Sequence, residues 1–161
     1  MAMKGNLLTE KAVFGVAVQP QSVVSATVNG ATISEPWRKG RQIAFFFLGG
    51  AFASGAQLTF KVQVRDRVAQ TWANVKDAKG VNDMQVDTTR TADAGPLEAG
   101  ALIGSLEMDF FNGDTKDAIR LTVQESGAGA SLVAVGYIIY DCYERPQTNT
   151  DELFSRSRYG T

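Results

Sequence analysis

The sequence predicts an all-β fold: a two-sheet antiparallel sandwich, jelly-roll-like, with extended N- and C-terminal arms. Three observations predict it. Apolar residues recur with a period of two through most of the chain. No segment of ten or more residues sustains the i, i+3, i+4, i+7 apolar pattern of an amphipathic helix. Turn-forming residues separate the candidate strands at the intervals of an all-β domain. With 161 residues, 44% of them hydrophobic and 20% charged, the chain is long and apolar enough for one globular domain. An up-and-down barrel is the second architecture that fits eight or nine such strands.

The elements follow in order. Met1 to Lys11 has few core-type residues and no alternation, and residues 1–21 read as an arm with a candidate edge strand. The sandwich is expected over 22–144. Val24, Ala26 and Val28 alternate into Asn29-Gly30 and then Ala31-Thr32-Ile33. Asn-Gly between β-prone runs predicts a hairpin, because both residues tolerate positive φ. Ile43 to Leu48 and Leu132 to Tyr140 are apolar on both faces, as central strands covered on each side would be. Leu58, Phe60, Val62 and Val64 alternate with Thr59, Lys61, Gln63 and Arg65. Leu106, Met108 and Phe110, and then Ile119, Leu121 and Val123, repeat the pattern. Gly49-Gly50, Gly55, Lys79-Gly80, Gly95-Pro96, Asn112-Gly113 and Gly127-Ala128-Gly129 are the expected turns. Residues 145–161 form a polar C-terminal arm, with one helical turn expected between Thr150 and Ser157.

Composition excludes several chemistries. The chain has no histidine, which removes Ser-His-Asp and Cys-His nucleophile systems and every histidine metal site. Cys142 is the single cysteine, so neither an intramolecular disulfide nor a multi-cysteine zinc site can form. Sixteen Lys+Arg against seventeen Asp+Glu leave a net charge of −1, so no overall basic field calls for nucleic acid. The charge is unevenly spread: residues 1–80 hold ten Lys/Arg and four Asp/Glu, and residues 81–161 hold six and thirteen. Strand pairing between the halves would mix these charges at the surface. The most apolar run, Ile43 to Ala53, is shorter than the roughly 20 residues of a bilayer span. Ala12 to Val18 is short for a secretory signal and sits beside Glu10 and Lys11. Synthesis in a reducing cytosol, with no membrane partner, is expected.

Each candidate site has a plainer explanation. Gly50 to Gly55 matches the first six positions of a phosphate-binding loop, but Ala56-Gln57 stand where Lys and Ser/Thr are needed. Asp109 to Asp117 concentrates acids and turn residues, yet Phe110 and Phe111 break calcium-loop spacing and leave Asp114 and Asp117 as a weak pair. Glu107 and Asp109 lie two apart on a strand, about 7 Å, on the solvated face. Cys142 ends an apolar strand as a half-buried thiol. Trp37, Trp72, Tyr137, Tyr140 and Tyr143 could stack sugars, but core and sheet packing accounts for most of them. Arg38-Lys39-Gly40-Arg41 reads as a solvated basic turn. No catalytic, cofactor-binding or metal-binding residue is assigned.

The succession Ser25 to Ser34, Gly40 to Gly49, Leu58 to Arg65, Trp72 to Val75, Asp117 to Val123 and Leu132 to Tyr137 resembles small β-sandwich virion proteins of tailed bacteriophages. The resemblance covers roughly residues 22 to 141 and consists of a rhythm of strands. It implies a non-enzymatic capsid decoration or cement protein, made in the host bacterial cytoplasm and placed on the capsid exterior. The implied partners are the major capsid protein and further copies of the chain, as a dimer or trimer. A tail-fibre or tail-tip module binding carbohydrate or receptor is the alternative, as is a head–tail joining or tail structural protein. The arms would carry the contacts, with Leu7, Leu8, Phe154, Arg156, Arg158 and Tyr159 at the interface.

Overall fold

A computed structural model describes residues 12–50, 56–77, 79–89, 102–108, 115–127 and 129–142. Sheet A contains β1 (Val13–Val23), β4 (Gly40–Phe47), β8 (Leu102–Glu107) and β10 (Ser131–Cys142), in the order β1-β10-β4-β8. Sheet B contains β2 (Thr27–Asn29), β3 (Ile33–Ser34), β5 (Gln57–Asp66), β6 (Trp72–Asn74), β7 (Gln85–Thr89) and β9 (Lys116–Glu125). Both β2 and β3 pair with one side of β9, and both β6 and β7 pair with the far side of β5. Each of those pairs is one strand position interrupted by a loop. Every pairing is antiparallel. Taking eight positions in chain order, sheet A runs 1-8-3-6 and sheet B runs 2-7-4-5, which is the strand order of a jelly roll.

Alternation decides what faces inward. Ile43, Phe45 and Phe47 of β4 and Val133, Val135 and Ile139 of β10 meet Leu58, Phe60 and Val64 of β5 and Ile119, Leu121 and Val123 of β9. Phe47 and Phe60 pack edge to face across the two sheets, with centroids 6.2 Å apart and planes at 75°. The expected strands over Leu58–Val64 and Ile119–Val123 are therefore β5 and β9. Pro20 lies in β1 where its register with β10 shifts, between Val18 and Gln21. An edge strand at a bulge tolerates a residue without an N–H. An earlier shift, between Val16 and Val18, turns both Ala17 and Val18 into the core.

Two expected turns take other forms. Asn29-Gly30 does not close a hairpin, because β2 and β3 continue along the same edge of β9 instead of pairing with each other. Gly30 donates its N–H to the Leu121 carbonyl, and Ala31 donates to the Ala17 carbonyl, which draws the chain against β1. A Cβ at Gly30 would lie 2.4 Å from the Ala17 carbonyl oxygen and 2.6 Å from that of Leu121. Glycine is required there for close backbone approach, not for a positive φ. Gly49-Gly50 likewise extends the ladder: Leu48 and Gly50 donate to the carbonyls of Ala134 and Leu132. Lys79-Gly80 does turn, with Gly80 at φ +72. Gly55, Gly95-Pro96, Asn112-Gly113 and the expected helical turn at Thr150–Ser157 lie outside the described residues.

The corner between β1 and β2 is fastened by a buried carboxylate. Glu125, on the inward-facing parity of β9, accepts the Ser25 N–H at 2.5 Å on Oε2 and the Gly127 N–H at 2.7 Å on Oε1. Ser25 holds a left-handed φ of 42°, and the bond from its N–H helps fix that strained bend.

Candidate assembly surface

The outward faces of the two sheets differ in kind. On sheet B, Lys61, Gln63, Arg65, Arg120, Trp72 and Asn74 point away from the core at paired positions. They are laced together. Arg120 donates to Gln63 at 2.8 Å, Gln63 to Asn74 at 2.8 Å, and Asn74 to Asp83 at 2.7 Å. Lys76 and Lys61 reach Asp83 at 2.6 and 3.5 Å. Arg65 grips Asp117 through two bonds of 2.8 and 3.0 Å. The guanidinium of Arg120 lies 4.3 Å from the centroid of the Trp72 ring, and that of Arg65 lies 5.6 Å from it. An antiparallel sheet with water on one side is built this way.

These carboxylates give the fold an acid sensitivity. Backbone N–H groups of Ala69 and Val68, with Lys116, hold Asp66 below its usual pKa. The Val81 N–H and Asn82 do the same for Asp77, Lys76 and Asn74 for Asp83, and Arg65 and Gln70 for Asp117. A carboxylate lowered in the folded state binds fewer protons there than when unfolded. Its contribution is present above the unfolded value of about 3.9 and is lost as pH falls through the folded value. Urea midpoints should be level well above the unfolded carboxylate value and fall as the pH drops below it. A midpoint that rose on acidification would contradict this.

Sheet A turns an apolar face outward. Phe14 of β1 lies opposite Ile138 of β10, which lies opposite Ala44 of β4. In the next row Val16 faces Gly136, and Gly136 faces Phe46. Ala134, Leu132 and Leu48 continue the face toward Gly50. Phe14, Val16, Leu48 and Leu132 are 40%, 42%, 45% and 49% exposed. A Cβ at Gly136 would sit 2.6 Å from the Phe46 ring, so glycine lets that ring pack against β10. Polar residues form a margin: Gln42 pairs with Glu107, Ser105 lies opposite Ala44, and Ser22 lies opposite Leu132. Ile43–Leu48 and Leu132–Tyr140 are central strands, as their apolar runs predict. Among the described residues, however, no further layer lies over their second face, which carries the exposed side chains of Leu48 and Leu132.

The structure disperses the other candidate residues. Trp37 and Tyr137 pack against the core, Trp72 lies on the outside of sheet B, and Tyr140 on the outside of sheet A. No shared sugar-stacking platform forms among these four, and Tyr143 lies outside the described residues. Arg38 pairs with Glu35 at 3.1 Å beside a short 3-10 turn, Pro36–Arg38, in the expected solvated turn. Glu107 is exposed, while Asp109 and Asp114 lie outside the described residues. Asp117 is engaged by Arg65 and Gln70. Burial raises the Cys142 pKa, and neighbouring Asp141 adds to the shift, which disfavours a reactive thiolate. The Gly50 run leads into β5, with no helix N-terminus to receive a phosphate. A cavity of about 180 Å³ opens between the β7 and β8 edges, lined by Phe45, Phe60, Val62, Met84, Ile103 and Leu106 among others, with no ionisable group among the described residues of its wall. Among the described residues no three His, Cys, Asp or Glu side chains cluster as a metal site would need. Nor is any helix among them long and apolar enough to cross a membrane. The expected interface residues Leu7, Leu8, Phe154, Arg156, Arg158 and Tyr159 all lie outside the described residues.

No protein-family model matches the chain, and no curated protein matches it. Among solved structures, a chain in the structure of infectious bursal disease virus Gx strain is similar at 11% identity and a TM-score of 0.49, over 81% of this chain and 32% of that one. A chain in the structure of the Gt strain of the same virus aligns over 94% of this chain and 48% of that one, at 9% identity and a TM-score of 0.26. The chain therefore spans between about a third and a half of the length of these neighbours. Likeness of this degree carries neither residue roles nor partners across to the present chain.

Proposed function

We propose that this chain is a non-enzymatic structural component of a virion, a decoration or cement protein that binds the major capsid lattice of a tailed bacteriophage from outside. The observation that carries the proposal is the apolar outward face of sheet A, set against the laced polar face of sheet B. A rigid body with one wet face and one face that water disfavours is made to be laid against something. The jelly-roll order supports the same conclusion by analogy of fold, since viral capsid domains use it, although lectins and cupins do too. The strand rhythm that resembles small phage virion proteins points the same way.

The chemistry asked of such a protein is mass action. Binding the assembled lattice and not loose subunits stabilises the lattice, and many modest contacts add through multivalency. The body supplies rigidity, and the terminal segments supply reach. Leu7 and Leu8 in the N-terminal arm, whose residues from Val13 onward lie in β1, and Phe154, Arg156, Arg158 and Tyr159 in segment 145–161 contact the capsid protein or neighbouring copies. Deleting 147–161 should leave a folded protein, by circular dichroism and urea midpoint, that no longer loads onto heads lacking it. Undiminished occupancy by the shortened chain would overturn the role of that arm.

A further inference from the structure

We propose that the outward face of sheet A is a self-association surface, occupied by the same face of a second copy across a two-fold axis. The inference rests on the structural role proposed above and assigns this face to the contact between copies, which leaves the lattice contacts to the terminal segments. Size is the first argument. Four strands about 4.8 Å apart, over roughly ten residues of about 3.3 Å each, give a face on the order of 600 Å². Two copies would bury about 1,200 Å² in total, which reaches the range of specific, stable interfaces. One extended arm is about one strand wide and would leave most of this face in water.

Shape and charge argue for a like partner. Ala44, Ala134 and Gly136 keep the centre low, and the Phe46 ring packs onto the Gly136 position, so the face offers a sheet-like surface instead of a groove. Two such sheets pack face to face at about 10 Å with their side chains interleaved. Among the described residues, the paired strand positions of this face carry one charged side chain, Glu107 at the β8 margin, and the exposed Arg41 and Asp141, near the ends of β4 and β10, pair with each other at 4.0 Å. A two-fold axis brings each patch onto its own copy. A face almost free of charge meets itself without repulsion and asks for no oppositely charged partner. Phe14, Val16 and Leu132 supply the apolar contacts, and Gln42, Ser105 and Glu107 the polar rim.

The test is the oligomeric state of the full purified chain, read by sedimentation equilibrium from about 1 to 100 µM, a range that brackets micromolar affinity. The wild type is expected to be a dimer. Val16→Lys with Leu132→Lys, both at half-exposed positions, should weaken dimerisation by about 100-fold or more while the urea midpoint of the monomer stays near wild type. Val68→Lys, at an 89% exposed turn position on sheet B, should leave the dimer intact. A monomeric wild type, or a doubly substituted chain that dimerises as tightly as wild type, would overturn the proposal. So would a wild-type monomer that begins to self-associate when 147–161 is removed, since the tail would then be the cover. Loading onto heads separates this proposal from the wider one. A chain that loads but is monomeric in solution sinks the two-fold surface alone, and a dimer that never loads sinks the virion role alone.

Discussion

Phe47→Ala should destabilise the protein by about 3–5 kcal/mol, the largest effect expected of a single substitution here. Phe47 is fully buried, and its ring packs edge to face with Phe60 between the two sheets. Removing it forfeits the transfer energy of the ring and leaves a cavity that two rigid sheets cannot close. Against a total stability of about 5–15 kcal/mol, that is a third or more. Urea denaturation at fixed protein concentration measures it. Phe14→Ala, on the outward face of sheet A and already 40% exposed, should cost well under half as much in the monomer. Equal losses at the two positions would mean that the alternation of inward and outward faces described here is wrong.

The second large effect is expected at Glu125. Glu125→Ala should cost about 1.5–3 kcal/mol, because it removes the buried carboxylate that accepts from the Ser25 and Gly127 N–H groups at this corner. Glu125→Gln should recover part of the loss. An amide offers one oxygen to one N–H, but its NH2 then faces the other donor. Hydrogen exchange at Ser25 and Gly127 should quicken in both variants, more in the alanine. Unchanged exchange at both amides would show that the carboxylate does not hold this corner.

Much of the fold was legible because strand alternation is a local signal. Leu58, Phe60 and Val64 declare an inward face whatever lies across from them, and Ile119, Leu121 and Val123 do the same. Glu125 continues that inward parity, so a buried carboxylate could have been suspected from its place alone. Asn29-Gly30 misled because turn preference is local, while the close approach that uses Gly30 comes from Ala17 and Leu121, far away in sequence. Gly49-Gly50 does stand between β4 and β5, but its close approach to Leu132 is likewise set by a strand far away in sequence. The outward face of sheet A was half legible. A run such as Ile43 to Leu48 says that both faces are apolar, but not whether the second cover comes from the same chain or from a neighbour. The arm residues Leu7, Leu8, Phe154, Arg156, Arg158 and Tyr159 were chosen from isolated apolar and basic character in polar segments, a signal that names anchors without naming what they grip.

The stoichiometry of this chain in the native particle tests the virion role most directly. Quantitative mass spectrometry of purified virions, joined to an image reconstruction, should find it at a copy number comparable with that of the shell protein and in register with the outer lattice. A handful of copies confined to one vertex or to the tail, or none in the particle, would contradict a capsid decoration role.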